Sequence, residues 1–323
     1  MILSGYKISL YLNKVKMNSK YLFFLFTWAF FLASCDPVES PPTEQFKKQW
    51  YAGKAELSSY NLQQGRYGEI RNGEAVLIFV SEDFSSGRLV KLDEPGNTSD
   101  KERVLKMNMI KKFITGIYPY SMMLSVFTPV SQNTNKKTLK VDCTMQEWCG
   151  QTFSQLKLKS GSFNWELHSY FEKEGEQDKK IHTTLLEDEL WNRIRLNPSS
   201  LPQGKLALLP GLFWQRLSHT PMAAEEAVLS LSKADTFFVK DSNVQLYTIH
   251  YPAAQRTLQI YFMGDFPHSI IGWKEVYPDG IGSNKIMLTT KATLKKTLWL
   301  DYWKHNMLAD SAYRDTLQLM HYE

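Results

Sequence analysis

The chain has 323 residues, 43% of them hydrophobic and 13% aromatic, with 38 basic and 33 acidic side chains for a formal charge of +5. That apolar content is well above what a disordered chain carries, so a folded unit with a real core is expected. Four of the basic residues, Lys7, Lys14, Lys16 and Lys20, precede Cys35 with no acid among them, which leaves the rest near +1 and without the concentrated basic footprint of a nucleic-acid binder.

From Tyr21 to Leu32 the chain reads YLFFLFTWAFFL, without a charge and preceded by lysines, which is the order of a leader's n-region and h-region. A transmembrane helix needs about 20 apolar residues, and this run stops short of that. It closes on Leu32-Ala33-Ser34-Cys35, which resembles the bacterial lipobox. Residues 1–34 are therefore expected to be a cleaved signal peptide, with 1–16 an over-extended gene start because Met17 stands where a conventional leader begins. Cys35 is the expected lipidation site, its acyl chains burying methylenes at roughly 0.8 kcal/mol each. The polar, proline-rich stretch that follows makes 35–43 a tether.

Thr43 is placed to cap a short helix from Glu44 to Trp50. Beyond it, period-two patterning dominates. Ala75–Val80 reads as a buried strand, Arg103–Thr115 alternates more loosely, and Trp165, Leu167, Ser169 and Phe171 continue the pattern. One helix is expected at Leu185–Arg195, with Leu186, Leu190, Trp191 and Ile194 on a shared face, ended by Asn197-Pro198. Its acidic triplet, Glu187-Asp188-Glu189, fits the first turn of a helix dipole. The loop Pro198–Gly211 then divides an N-terminal β half, 44–197, from a C-terminal β meander, 198–323, read either as one continuous domain or as two.

In that meander, strands are expected at Val228–Leu231, Thr236–Lys240, Val244–His250, Thr257–Met263, Ser269–Tyr277 and Lys285–Leu300, separated by turn clusters about every ten residues. There is no room for crossover helices. The fold class is mainly β: a large curved antiparallel sheet or open half-barrel meander with one short helix packed on it.

The chain holds no nucleophile elbow, zincin motif, phosphate-binding glycine loop or dinucleotide fingerprint. Its histidines are scattered singly, so no catalytic residue, metal or cofactor is expected. Glu82 and Asp83 point to opposite faces of a strand and cannot pair directly. Cys143 and Cys149 would be some 20 Å apart on one continuous strand, whereas a turn at Thr144–Glu147 would let them form a disulfide. The aromatic set supplies the binding candidates: Tyr118, Tyr120, Met122, Trp148, Trp214 and Trp273 could line an apolar hollow, with core packing as the alternative role.

The stretches Trp50–Glu56, Tyr67–Arg71, Thr115–Ser121 and Gln146–Gly150 together resemble a family of Bacteroidota lipoproteins, some of which carry the label septum formation inhibitor Maf. Genuine Maf proteins are cytoplasmic α/β nucleotide pyrophosphatases with a Ser-x-Ser-Pro-Arg-Arg motif, which this chain lacks, so that label reads as a transferred error. The meander is also similar, in pattern only, to envelope lipoproteins and lipoprotein carriers built around an apolar hollow. The resemblance implies a cell-envelope protein, lipid-anchored and more readily at the outer than the inner membrane, with no established activity to carry over. The expected function is non-enzymatic binding of an apolar ligand such as a lipid, or of an envelope partner; the alternative is a glycan-directed, carboxylate-based envelope hydrolase.

Overall fold

A computed structural model describes residues 42–94, 98–131, 136–182, 184–234, 243–280 and 285–320. The signal peptide, Cys35, nearly all of the tether and the expected strand Thr236–Lys240 lie outside the described residues. Helix α1 (Glu44–Trp50) comes first, and the Thr43 hydroxyl accepts from the Phe46 amide at 3.1 Å as its cap. Strands follow: β1 (Ala55–Arg66), β2 (Glu69–Ser85), β3 (Val90–Lys91), β4 (Lys101–Thr115), β5 (Tyr118–Pro129), β6 (Lys140–Glu147), β7 (Gly150–Lys159), β8 (Ser162–Ser169) and β9 (Gln177–His182). After the short β10 (Leu185–Leu186) come helix α2 (Glu187–Leu196), β11 (Gly204–Leu209) and helix α3 (Leu212–Ser218). The chain then runs through β12 (Glu225–Lys233), β13 (Val244–Tyr251), β14 (Arg256–Met263), β15 (Ile270–Asp279) and β16 (Ile286–Leu300) to a short helix α4 (Ala312–Thr316).

All these strands form one sheet, ordered β10-β11-β12-β13-β14-β15-β16-β1-β2-β4-β5-β6-β7-β8-β9, with β3 hanging on β2. The two halves of the chain are joined at its middle, where β1 pairs antiparallel with β16 from Ala55↔Leu300 to Gln63↔Lys291. Its two edges are β9 and β10, which are consecutive in sequence. The sheet is therefore a large open half-barrel, not closed by any pairing between these two edges.

Alternation sorts the side chains. In β4, Leu105, Met107, Met109, Lys111 and Phe113 are buried and share one face; in β14 the same holds for Arg256, Leu258, Ile260 and Phe262. These rows face the inside of the half-barrel, and helices fill it. Eight of the ten residues of α2 are buried, all round the helix, whereas a helix lying on a surface buries one stripe. From the middle of α2 the Asn192 amide donates to Leu105 O at 3.0 Å, Val126 O at 3.3 Å and Thr128 Oγ1 at 2.9 Å. The helix expected to pack on the sheet does so, on the inward face of β4 and β5, and it is covered on its other sides as well.

The expected loop Pro198–Gly211 contains strand β11, and α3, which no periodicity announced, follows directly. Helix α1 lies at the Ala55 end of β1, where Trp50 packs on Trp299 and Phe79 with ring centroids 5.2 and 6.5 Å apart. Helix α3 lies at the Arg66 end, where Leu217 O accepts from Arg66 Nη1 at 2.6 Å.

Candidate functional site

The inward rows carry charges at positions whose parity assigns them to the core. Arg256 on β14 donates through both terminal nitrogens to the Glu187 carboxylate of α2, at 2.5 and 2.7 Å, and through Nε to Glu275 of β15 at 2.7 Å. Tyr251 of β13 adds a hydrogen bond to Glu187 at 2.7 Å. All four side chains are buried or nearly so. Asp188 accepts from the Leu212 amide at 3.0 Å, which ties α2 to α3. Burial, and the Glu187 charge after it, push the Asp188 carboxyl up to about 7. Lys111 of β4, 4% exposed, lies over the Phe213 and Trp273 rings at 5.1 and 5.8 Å, and burial holds its pKa below the ordinary value.

The acidic triplet of α2 is therefore not a solvated first turn. Its members are ion-pairing and hydrogen-bonding groups inside the barrel, Glu189 holding Arg193 at 3.1 Å. Glu187 and Glu275 are two carboxylates that folding brings together, yet one guanidinium engages both. The void beside them is about 30 Å³, room for a water or two and too small for a sugar ring. Glu82 and Asp83 are held apart in ion pairs of their own, with Lys106 and with Lys101 and Arg103.

Most of the expected apolar lining is core. Tyr120, Met122 and Trp273 are 2%, 0% and 1% exposed, and Trp214 on α3 packs edge-on against Tyr277 and under the Arg256 guanidinium, 4.8 Å from its ring centre. Tyr118 sits half-buried at the rim, 6.4 Å from the ring of Trp148, which stands 69% exposed on the β6–β7 turn. The set does not surround a continuous apolar hollow, because α2 and α3 occupy that space.

The two cysteines among the described residues are free, Cys143 buried in β6 and Cys149 exposed in the turn after it. Of the two arrangements open to the sequence, the structure has the continuous strand and not the turn at Thr144–Glu147: β6 runs unbroken through Glu147, so the two thiols stay apart. Among the described residues no three or more His, Cys, Asp or Glu side chains are grouped to hold a metal ion, and no helix is long and apolar enough to cross a membrane.

One of the hollows that open to solvent lies at the Arg66 end, between α3 and the β8–β9 turn. A cavity of about 210 Å³ is lined by Lys173, Glu174, Lys179, Gln215, Arg216 and His219, with Cys143, Ser154 and Met222 among the deeper residues. Glu174 organises it, accepting from Arg216 Nη1 at 2.9 Å, Ser169 Oγ at 2.6 Å and lying 2.7 Å from His219 Nδ1. Burial works to raise the Glu174 carboxyl, but the His219 and Ser169 hydrogen bonds and the Arg216 charge outweigh it, and its pKa lies below the ordinary value. His219 itself ends α3 with a left-handed backbone, φ 55°, an uncommon conformation for a side chain other than glycine.

A second hollow of about 370 Å³ shares His219 and Thr220 with the first and is walled by Arg66, Tyr67 and Asp279. Neither Glu174, Arg216 nor His219 carried a sequence signal, since their meeting depends on a turn and a helix 42 residues apart.

No family model and no curated protein matches the chain. Two solved structures are similar. One is a β-barrel-like protein of the domain of unknown function DUF1849 from Brucella abortus, 11% identical, matched over 77% of this chain and 98% of that one with a TM-score of 0.38. The other is a porin-like protein from Bacteroides uniformis, 11% identical, matched over 75% and 95% with a TM-score of 0.20.

Proposed function

We propose that this chain is a lipid-anchored cell-envelope binding protein whose ligand enters at the Arg66-end rim, not an apolar hollow within the sheet. The single observation behind this reading is the filling of the sheet's hollow by α2 and α3, which leaves cavities of about 210 and 370 Å³, each lined by polar and apolar side chains together, side by side at that rim. Spaces of this size suit small molecules and exclude a lipid tail running the length of the barrel. The paired carboxylates of the interior support a structural role over hydrolysis, because both serve Arg256.

The test is native mass spectrometry of the mature protein released gently from its own envelope. A small polar adduct that is lost on Arg216→Gln supports the reading. A stoichiometric phospholipid or acyl chain retained by that variant overturns it in favour of an apolar carrier.

A further inference from the structure

The rim cavity has more cation than it can neutralise from within. Lys173, Lys179 and Arg216 line it against one carboxylate, Glu174. Neither lysine is in an ion pair among the described residues, and the exposed Lys179 side chain lies over the Trp165 ring, 5.5 Å from its centre. The Arg216 side chain is 6% exposed, and its Nε is buried with no acceptor among the described residues. A guanidinium so far out of water ordinarily has its donors engaged, because an unmade charged hydrogen bond is expensive. Burial, with the nearby Arg66 adding to it, draws the Arg216 pKa below its ordinary value despite Glu174. An added negative charge would relieve that imbalance.

Neutral donors point the same way. The Ser154 hydroxyl accepts from Trp165 Nε1 at 2.7 Å, which leaves its own proton to donate, and Ser154 lines the cavity beside Thr152. Leu167, Leu212 and Met222 supply an apolar flank.

We propose that this cavity binds a small oxyanion-bearing molecule, carboxylate or phosphate, with Arg216 as its anchor and Lys173 and Lys179 flanking it. The proposal rests on the rim being the ligand site. A planar guanidinium is the side chain suited to either oxyanion, as a fork of donors that a lysine lacks.

The experiment is calorimetric titration of the purified mature protein with inorganic phosphate, succinate and, as a neutral probe, glucose. Saturable binding of phosphate or succinate is expected, weaker as salt rises, and weakened about tenfold by Arg216→Gln, which removes one charge-assisted contact. Which of the two binds assigns the oxyanion as phosphate or carboxylate. Lys173→Gln and Lys179→Gln alter exposed side chains and leave the core untouched, so they keep the test open if Arg216→Gln fails to fold; each is expected to cost a few-fold in affinity. Anion binding unaffected by any of the three variants overturns the proposal. Glucose binding in place of both anions overturns it while leaving the rim as the ligand site. No binding of any probe at millimolar concentration by a folded protein overturns both.

Discussion

Glu56 of β1 and Arg195 in the last turn of α2 form a two-pronged ion pair, both bonds 2.6 Å, with side chains 1% and 0% exposed. The guanidinium also donates to Pro267 O at 2.8 Å and lies against the Phe79 and Trp50 rings, 4.7 and 5.1 Å from their centres. One side chain thus pins the far end of the internal helix to the sheet, to the β14–β15 turn and to α1.

Removing one partner of such a pair strands the other charge in the core. Arg195→Met alone is expected to cost about 3–5 kcal/mol, a fall of roughly 10 °C in Tm, while Glu56→Leu with Arg195→Met recovers most of it. Thermal melts of the three variants check this. A single variant that melts with the wild type would mean the pair carries no stability.

Asp188 makes stability pH-dependent. Its carboxyl lies near 7 in the folded state against 3.8 in the reference state, so the folded chain holds the extra proton between those values. Stability from this group is complete below about pH 4 and is lost as pH rises towards 7, an effect on the order of 4 kcal/mol at most. Asp188→Asn, which keeps an acceptor for the Leu212 amide, is expected to flatten the decline in Tm between pH 5 and 8. A decline of unchanged slope would place the titration on another group.

Thiol reactivity separates the two cysteines. Cys149 is exposed, though the Glu147 carboxylate beside it raises its pKa, so its reaction with an aromatic disulfide reagent is expected to be slow at neutral pH and to accelerate in alkali. Burial pushes the Cys143 thiol far up, and it is expected to react only in denaturant. Prompt release of two equivalents from the native protein, or none from the denatured one, contradicts this arrangement.

The lipid anchor has a direct check. Globomycin is expected to leave the leader attached to a diacylglyceryl-bearing Cys35 and Cys35→Ser to leave it attached with no lipid, whereas the wild-type chain is cleaved and its N-terminal peptide carries acyl chains. A cleaved, unacylated N-terminus starting elsewhere would refute it.

The meander from Val228 onward was legible in the sequence because its strands alternate cleanly and are punctuated by Asp-Ser-Asn and Pro-Asp-Gly turns. Helix α2 was legible too, but not its place. A face of Leu186, Leu190, Trp191 and Ile194 looks the same whether a helix lies on a sheet or inside one. The discriminating signal was present at Lys111, Arg256 and Glu275, charged residues in the same alternation as Met109, Leu258 and Trp273. Charges at core parity require buried partners, and the acids of α2 were candidates for Arg256. Helix α3 left no such trace: seven residues are too few to show a period, and its end at His219 uses a left-handed backbone without the glycine that would have marked it.

The β1–β16 seam governs how the chain can be made. The Ser58 and Thr297 hydroxyls, 2.8 Å apart across it, are separated by 239 residues. Pairing of such long range is slow to find, because most of the chain must be ordered before any of it is rewarded. Synthesis delivers β1 first and its partner last, so one flank of β1 stays open as an adhesive edge until β16 emerges. A chain interrupted before Ile286 would therefore not be a shorter barrel. It would be two partial sheets, each with a free edge where β16 should be.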